Sequence, residues 1–338
     1  MFTTCHKWTG RSFEIPGWRS SGNPFRSCTP SGNPLTSKGS SYVLVTGAGG
    51  FVGGTIARAL IQRGVKVIAH VRSFESAHSL ECETVVGDLS SASTFANFPK
   101  RAPDIVHAAA NSGRNGDSYR QLRQDNVVAT RNLLAFAEGQ RRARIINISS
   151  VSVHGTIQES ILDYSTRIQR PASYGRTKHA AETLLSESKS VASLSLRLPG
   201  ILGVGVHEHW IGSLVARAMR NDAITYYNST APFNNVVHVN DLADFTYRLL
   251  EMQAWPNTGA FPLASRDPIS ILNTVQIIRD ALDSKSTLVS LGERPPCFTI
   301  DDSHARKHYG YHSSTTRDAI TRFTLEVGRG SDLQAHQN

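Results

Sequence analysis

Residues 42–53 read Tyr42-Val43-Leu44-Val45-Thr46-Gly47-Ala48-Gly49-Gly50-Phe51-Val52-Gly53. The first half is a short apolar run, which is typical of a buried parallel strand. Apolar residues then recur at helical spacing at Ile56, Ala57, Leu60 and Ile61. The pattern predicts a strand, a glycine turn and a helix, in which the glycines let a pyrophosphate approach the free N–H groups of the helix N-terminus. The alternative is a tight turn without a ligand.

Three more strands are predicted after this helix, over residues 65–71, 85–89 and 104–110, with a short helix over 93–101. An NAD-selective site usually has an acidic residue at the end of the second strand, where it binds the ribose 2′-hydroxyl. Val71 and Arg72 stand there instead. Because a guanidinium suits a 2′-phosphate, the sequence favours NADP over NAD. The alternative is that Arg72 caps a loop and faces water.

Tyr174 and Lys178 form a candidate proton-transfer pair, because a spacing of four residues places both on one face of a helix. A neighbouring ammonium favours the phenolate that a tyrosine general base needs, since the ordinary tyrosine pKa is about 10. The pair follows a strand-like run, residues 145–150, that ends in serines. Ser150 would hydrogen-bond the oxygen whose proton Tyr174 takes or gives. The alternatives are a serine that satisfies backbone groups, a buried tyrosine and a solvated lysine.

These motifs together resemble the extended short-chain dehydrogenase/reductase family, the NAD(P)-dependent epimerase/dehydratase group. The resemblance runs from about residue 41 to about residue 325, and the motifs come in the family's order. It rests on residues 46–53, 88–89, 107–110, 126 with 132–134, 149–150, 174 with 178, and 238–243. The implied fold is α/β, a Rossmann-type doubly wound parallel sheet with a small C-terminal α/β substrate-binding lid.

The resemblance also implies roles for individual residues. Ser150, Tyr174 and Lys178 would be catalytic, with Lys178 holding the nicotinamide ribose and lowering the tyrosine pKa, and Asn126 would support the site. The cofactor, NADP or NAD, would contact Gly47, Gly50, Phe51, Val52, Gly53, Arg72, Asp88, Leu89, Ala108, Ala109, Lys178, Pro199 and Ile201. The substrate would contact Asn111, Ser150, Tyr174, Gly200, His209 and Asn234.

The expected domain organisation has four parts. Residues 1–40 contain five basic residues and one acidic residue, are rich in Gly, Pro and Ser, and are expected to be a disordered basic tail, which weakly resembles an organelle transit peptide. A tail with no role is the alternative. Residues 41–200 would mainly form the NAD(P)-binding Rossmann domain. Residues 201–326 would mainly form the lid, with residues 236–263 returning to the Rossmann domain, and residues 327–338 would be a polar tail.

The composition argues against several other classes of function. The 338 residues are 39% hydrophobic, which is enough for a sizeable core, and the longest apolar runs have the length of strands, so we expect no membrane span. The four cysteines are widely spaced and indicate a reducing, cytoplasmic setting. The net charge of +9 fits an anionic cofactor and substrate, and nucleic-acid binding is not expected. No metal site is expected, because Gly310 interrupts the spacing of His304, His308 and His312. A homodimer is compatible with the sequence.

The expected substrate follows from the resemblance and from two positions at which this sequence differs from the family's usual pattern. The family mostly acts on sugars carried on a nucleoside diphosphate, and its sugar epimerases often have Asn at the position of Gly200 and Arg at that of Asn234. We expect an epimerase or reductase acting on a hydroxyl or keto group of a nucleotide-linked sugar, of the 4-epimerase or 4-keto reductase type of surface-polysaccharide pathways. Arg217 or Arg220 would then contact the diphosphate. The first alternative is an NADPH-dependent reductase of small non-nucleotide carbonyls, like the plant dihydroflavonol reductases. The second is a non-catalytic NADP-binding regulator.

Overall fold

The computed structural model describes residues 42–77, 80–99, 103–205, 209–256, 258–294 and 297–335. The predicted tail over residues 1–40 lies outside the described residues. The strands, numbered along the chain, are β1 Val43–Thr46, β2 Val67–Val71, β3 Glu83–Val86, β4 Asp104–His107, β5 Arg144–Ser150, β6 Ile161–Leu162, β7 Ala192–Leu198, β8 Gly200–Leu202, β9 Ile224–Tyr226, β10 Pro232–Phe233, β11 Val236–His238, β12 Gly259–Pro262, β13 Ile269–Ser270, β14 Leu288–Ser290 and β15 Thr299–Ile300.

The α-helices are α1 Phe51–Gln62, α2 Tyr119–Arg123, α3 Ala129–Glu138, α4 Ser173–Ser186, α5 Trp210–Met219, α6 Val239–Glu251, α7 Ile271–Ala281, α8 Ser303–Tyr309 and α9 Thr316–Ala335. A π-helical turn, Gln124–Val128, joins α2 to α3 without a break. Single 3₁₀ segments occur at Phe74–Ala77, Ala92–Asn97 and Val151–His154. None of the helices in the described ranges is long and apolar enough to cross a membrane.

Seven strands form a parallel sheet in the order β12-β7-β5-β4-β1-β2-β3. β1 pairs with β2 on one side and with β4 on the other, so the direction of the chain across the sheet reverses between β1 and β4. In doubly wound sheets, ligands bind outside the carboxyl ends of the strands at this switch point. The topology therefore locates the site before any side chain is considered.

Helices cover both faces of the sheet, which explains why its strands are apolar runs rather than alternating ones. Val43 and Val45 of β1 belong to the hydrophobic core that contains α1 and α6 residues, and Leu44 belongs to the core on the other face, with α3. Successive strand residues point to opposite faces. The doubly wound α/β prediction is therefore confirmed.

The lid has a hydrophobic core of its own. α5, α7 and α9 supply its centre, with Leu214, Ile278 and Phe323 among the buried residues. Three short strand pairs contribute residues to it: β8 with β11, β9 with β14, and β10 with β13. The pair of β6 with β15 belongs to a separate small cluster. Between the lid segments the chain goes back to the sheet, because α6 packs against α1 and β12 pairs with β7.

Several predicted bounds differ from the structure: the second strand begins at Val67, the fourth ends at His107, and the helix predicted over 93–101 is a 3₁₀ segment. The third strand ends at Val86 rather than at Leu89, since the chain leaves the sheet at Gly87, whose N–H still donates to the carbonyl of Val71. Residues 327–335 are helical, because α9 continues to Ala335, so the polar tail predicted from residue 327 is wrong over that range. Polar composition alone does not end a helix that is already nucleated upstream.

Candidate active site

The glycine turn after β1 has the geometry of a phosphate cradle. Gly47 has a φ of +68°, and a Cβ there would lie 2.6 Å from the backbone nitrogen of Ala109. A Cβ on Gly53 would meet the Gly47 carbonyl, so both positions require glycine. α1 begins after Gly50, which makes no side-chain cap, and its first turn contains no acid. Its N–H groups are therefore available for an anion.

Two adjoining cavities open at the strand ends on either side of this turn. The Tyr174 cavity has a volume of about 560 Å³, and the Arg72 cavity has a volume of about 580 Å³. They share the residues Gly47, Gly50, Ala108, Ala110 and Ser112. The result is one elongated cleft with the phosphate cradle at its middle, which is the shape that a dinucleotide needs.

The Arg72 cavity is polar and lies beyond the end of β2. Arg72 lines it with an exposed side chain whose guanidinium is 3.8 Å from the Asp125 carboxylate. His70 lines it too; its Nε2 donates to the Gly87 carbonyl at 2.9 Å, and its Nδ1 has no hydrogen-bond partner among the described residues. Burial lowers the pKa of His70, so the ring is neutral near pH 7. An unpartnered buried acceptor here fits a polar ligand such as an adenosine group.

Two predicted cofactor contacts are not part of this cavity. Leu89 is buried in the sheet core, and its carbonyl accepts a hydrogen bond from Asn132. Asp88 is exposed, and its carboxylate accepts from the backbone N–H of Ser90 in a tight turn. Because β3 ends two residues before Asp88, these side chains turn away from the cleft. Ala108 and Ala109 do line the cleft as predicted.

The Tyr174 cavity brings together two of the predicted catalytic residues, Ser150 and Tyr174, while Lys178 and Asn126 do not line it. Ser150 and Tyr174 line one wall, Phe51, Val52 and Gly53 line the helix side, and Pro199, Gly200, Ile201 and His209 line the side of the lid. His209 also caps α5, since its Nδ1 accepts from the backbone N–H of Gly212 at 3.1 Å. Asn111 lies elsewhere: it lines the Arg72 cavity and binds Asp125 through its side-chain nitrogen, so the prediction that it contacts substrate is not supported.

Ser150 has a free hydrogen to donate. The backbone N–H and the hydroxyl of Ser152 both donate to the Ser150 hydroxyl oxygen, at 3.2 and 2.9 Å. With its oxygen accepting two hydrogen bonds, the Ser150 O–H is left to point to a group inside the cavity. That is the orientation required to hold a substrate oxygen.

The charges around Tyr174 differ from the expectation. Burial raises the pKa of Tyr174, and the positive charge that opposes this is Arg114, not Lys178. Lys178 is 2% exposed, and burial lowers its pKa to about 8, against the attraction of Glu182. Lys178, which was predicted to lower the tyrosine pKa, is not among the charges that shift it. Arg114 lines the cavity beside Tyr174 and was missed by the sequence reasoning.

A buried ion-pair network lies under the site. Glu182, one turn after Lys178, accepts hydrogen bonds from the Arg197 guanidinium at 2.7 to 3.2 Å and from the Ser149 hydroxyl at 2.5 Å. A nitrogen of Arg197 also lies 3.1 Å from Nε2 of His154. Burial, and next the Arg197 charge, lower the pKa of His154, so its ring is neutral and accepts this bond. The network joins α4 to the ends of β5 and β7.

Asn126, which was predicted to support the site, does not line the Tyr174 cavity, and its side chain bonds the backbone and helix behind it. Its Oδ1 accepts from the backbone N–H of Asn111 at 2.7 Å, and its Nδ2 donates to the Asn111 carbonyl and to the Thr177 hydroxyl, both at 2.9 Å. It lies in the π-helical turn, which is a common feature of functional sites. Asn126 therefore fixes the loop after β4 against the helix that carries Tyr174 and Lys178.

A third cavity, the Arg294 cavity, adjoins the site and has a volume of about 650 Å³. Trp210, Arg217, Tyr227, Asn235, Arg294 and Phe233 are among the residues that line it. It lies beside the Tyr174 cavity, because Gly200, which lines that cavity, donates its N–H to the carbonyl of Asn235, which lines this one. The Arg294 guanidinium lies 3.7 Å from the centre of the Tyr227 ring and donates to its hydroxyl at 2.7 Å.

Asn234, which was predicted to contact the substrate, does not line either cavity. The Asn234 side chain is buried and donates to the carbonyls of Ser265 and Ile300, while its oxygen accepts from the N–H of Ile300. Asn235 instead lines the Arg294 cavity, and its Oδ1 has no partner among the described residues. Among those same residues, no group of three or more His, Cys, Asp or Glu side chains could hold a metal ion.

A doubly wound parallel sheet, a glycine turn at its switch point, a serine at the end of β5 and a tyrosine and lysine on α4 define the class of short-chain dehydrogenase/reductase folds. The chain belongs to the NAD dependent epimerase/dehydratase family, whose family model matches residues 43–261. The predicted family is therefore confirmed.

Individual relatives are distant. The 2-alkyl-3-oxoalkanoate reductase of Stenotrophomonas maltophilia is 30% identical over 173 residues, which are 48% of this chain and 52% of that protein. UDP-glucuronic acid decarboxylase 2 of Arabidopsis thaliana is 25% identical over 78% of this chain and 61% of that protein. The chain thus spans about half to three fifths of the length of these relatives. The structure of UDP-glucuronic acid 4-epimerase from Bacillus cereus in complex with NAD has a TM-score of 0.70 and 18% identity, over 84% of this chain and 96% of that one, and shows a shared fold.

Proposed function

We propose that the protein is an NADP-preferring epimerase or reductase that acts on a hydroxyl or keto group of a nucleotide-linked sugar. The observation that carries this proposal is the Arg294 cavity, which lies beside the Tyr174 cavity. A nucleoside diphosphate needs an aromatic surface for its base and cations for its phosphates. Trp210, Tyr227, Arg217 and Arg294 supply both, and none of the described residues that line this cavity is acidic.

The proposed chemistry takes place in the Tyr174 cavity. When bound, the nicotinamide supplies or accepts the hydride at the reacting carbon. Tyr174 takes the hydroxyl proton as the alcohol is oxidised, and gives it back to the keto oxygen in the reverse step. Ser150 donates a hydrogen bond to the same oxygen and orients it. Lys178, whose pKa of about 8 leaves it charged at neutral pH, would face the nicotinamide ribose.

The cofactor preference rests on Arg72. No acidic residue stands directly at the end of β2, and the exposed guanidinium of Arg72 lines the cavity beyond it. An arginine pairs well with a 2′-phosphate, and the 3.8 Å separation from Asp125 is too long for a hydrogen bond that would compete with it. These features favour NADP.

A second candidate is a reductase of small carbonyl compounds that carry no nucleotide. It is favoured by the absence of the Asn and Arg that the family's sugar epimerases often carry at the positions of Gly200 and Asn234. The relative from Stenotrophomonas maltophilia, named for a 2-alkyl-3-oxoalkanoate, belongs to this kind of enzyme. Under this hypothesis the Arg294 cavity would not be needed for turnover.

Ligand-induced stabilisation separates the two candidates, because a ligand that binds only the native state raises the melting temperature. UDP, dTDP and GDP are tested on the NADP-loaded protein. A shift with one of them supports the nucleotide-sugar function, and a shift with NADP alone contradicts it.

The catalytic assignment is tested with Tyr174→Phe, which should lose turnover but bind NADP normally. Tyr164→Phe is the matched control, since that ring is 56% exposed and lies outside the cleft. Homodimer formation and cytoplasmic location stay predictions.

A further inference from the structure

His107 is a buried histidine at the end of β4 that the proposed chemistry does not use. The next residues along the chain, Ala108 and Ala109, line the elongated cleft, whereas His107 lines neither of its two cavities. Burial, and next the charge of Lys178, lower the pKa of His107 to about 3, so the ring is neutral near pH 7. A neutral imidazole has one N–H donor and one nitrogen acceptor, and both need partners inside the protein.

The hydrogen bonds around this ring run in one direction. The Thr130 hydroxyl donates to the backbone carbonyl of Asn126 at 2.6 Å, so its oxygen accepts from the Nε2–H of His107 at 3.0 Å. Nδ1 of the ring is therefore the acceptor, and the Thr46 hydroxyl donates to it at 2.7 Å. The Thr46 oxygen accepts in turn from the N–H of Ala109 at 3.4 Å. Every polar hydrogen of these three side chains is used, which fixes the tautomer of His107.

One end of this chain of hydrogen bonds holds the glycine turn. Thr46 directly precedes Gly47, and the Gly47 backbone lies so close to Ala109 that a Cβ would be 2.6 Å from the Ala109 nitrogen. Because Nδ1 of His107 accepts the Thr46 hydrogen, the Thr46 oxygen presents its lone pairs to the N–H of Ala109. His107 therefore helps to set the separation of β1 from β4 at the point where the turn begins.

The other end reaches α4, the helix that carries Lys178. Thr130 lies one turn after Asn126 and holds the backbone of the π-helical turn. The Asn126 side chain donates to the hydroxyl of Thr177, which precedes Lys178 in α4. The ring of His107 thus joins the glycine turn to the helix of the proposed proton-transfer pair, through side chains that are buried.

We propose that His107 is a positioning residue, which holds the glycine turn and α4 at a fixed separation through this chain of hydrogen bonds. A dinucleotide that spans the cleft contacts both sides, so its pyrophosphate and its nicotinamide end bind together only when this separation matches the length of the cofactor. An apolar ring at the same position would fill the space without joining the two sides. The inference rests on the cofactor cleft of the proposed function and does not depend on the substrate.

The test compares a whole cofactor with a fragment that lacks the nicotinamide. Titration calorimetry on the full-length protein uses NADPH or NADH, whichever the wild-type protein binds more tightly, and ADP-ribose with or without the 2′-phosphate to match. In His107→Phe the dissociation constant of the whole cofactor, divided by that of the fragment, should rise about threefold or more, because only the whole cofactor contacts both sides. Thr130→Val breaks the chain at another link with little change of shape, and it should raise this ratio in the same way.

Two further variants show whether the chain itself is responsible. In the double variant with His107→Phe and Thr130→Val, the ratio should rise no further than in His107→Phe alone, because both substitutions interrupt one chain. Val106→Ala is the control, since Val106 is a buried residue of the same strand and its truncation loosens the core. It should lower the melting temperature and leave the ratio unchanged.

The other outcomes separate the failure of this inference from that of the proposed function. A smaller rise of the ratio, in whichever of His107→Phe and Thr130→Val folds, refutes the positioning role and leaves the proposed function standing. An equal rise in Val106→Ala, or additive changes in the double variant, also refutes it. A wild-type protein that binds neither NADPH nor NADH overturns the proposed function and this inference together.

Discussion

Replacing Lys178 with methionine should stabilise the cofactor-free protein while it removes the activity. Lys178 is 2% exposed, and burial lowers its pKa from 10.5 to about 8. One pKa unit corresponds to about 1.4 kcal/mol, so the charged lysine costs about 3 kcal/mol of the free energy of unfolding. Methionine has a similar length and no charge to desolvate, and Glu182 keeps Arg197 as its partner.

The size of the effect depends on pH in a defined window. The folded pKa of Lys178 lies below that of the unfolded chain, so the unfolded state binds more protons between pH 8 and 10.5. The destabilisation by the lysine is complete below pH 8 and disappears as the pH rises to 10.5. The advantage of Lys178→Met should therefore be about 3 kcal/mol at pH 7 and should shrink toward zero across this window.

Urea unfolding followed by tryptophan fluorescence measures this difference at several pH values from 7 to 10.5. Only the difference between variant and wild type is used, because buried tyrosines such as Tyr311, whose pKa burial raises, affect both proteins alike. Lys189→Met is the control for an exposed lysine and should change the free energy of unfolding by less than about 0.5 kcal/mol. A variant that is less stable than wild type at pH 7, or an advantage that does not depend on pH, would refute the reasoning.

Three other substitutions have definite expected outcomes. Gly47→Ala should abolish NADP binding in a fluorescence titration, because its Cβ would lie 2.6 Å from the nitrogen of Ala109; an unchanged dissociation constant would contradict the cradle. Arg72→Ala should raise the dissociation constant of NADPH about tenfold or more and leave that of NADH nearly unchanged; equal losses would remove the 2′-phosphate role. Glu182→Ala should lower the free energy of unfolding by about 3–5 kcal/mol in urea, since it leaves Arg197 buried without its carboxylate. A loss below about 1 kcal/mol would show that the pair is not coupled to folding.

The parts of the fold that could be predicted from sequence depend on local pattern. The strand, glycine turn and helix over residues 43–62 occur as expected, because apolar runs and glycines act over a few neighbouring residues. The helix with Tyr174 and Lys178 and the strand that ends at Ser150 are also where they were predicted. The error at α9 comes from polar residues that are compatible with a helix as well as with a loose tail.

The missed parts of the site depend on contacts between distant segments. The Glu182–Arg197 pair joins α4 to β7, and the Arg294 cavity joins α5 to the loop between β14 and β15, so no local pattern reveals them. Asn234 and Asn235 show that neighbouring residues of the same type can have different roles that the sequence does not distinguish. Both are the same residue type, and only the pairing around β11 decides that Asn234 is held in the fold while Asn235 faces the cavity.

The position of β12 has a consequence for how the protein folds. This edge strand pairs Gly259 with Leu194 of β7. The segment between the two strands contains α5 and α6, so β12 can join the sheet only when this long segment closes into a loop. Such parallel pairings between distant segments form slowly, because the chain loses conformational entropy when the long loop closes, before the new contacts stabilise it. Until β12 arrives, β7 is an exposed edge that can pair with another chain. We therefore expect refolding yield to fall with protein concentration, and Pro262 at the end of β12 to limit further growth of the sheet on its outer side.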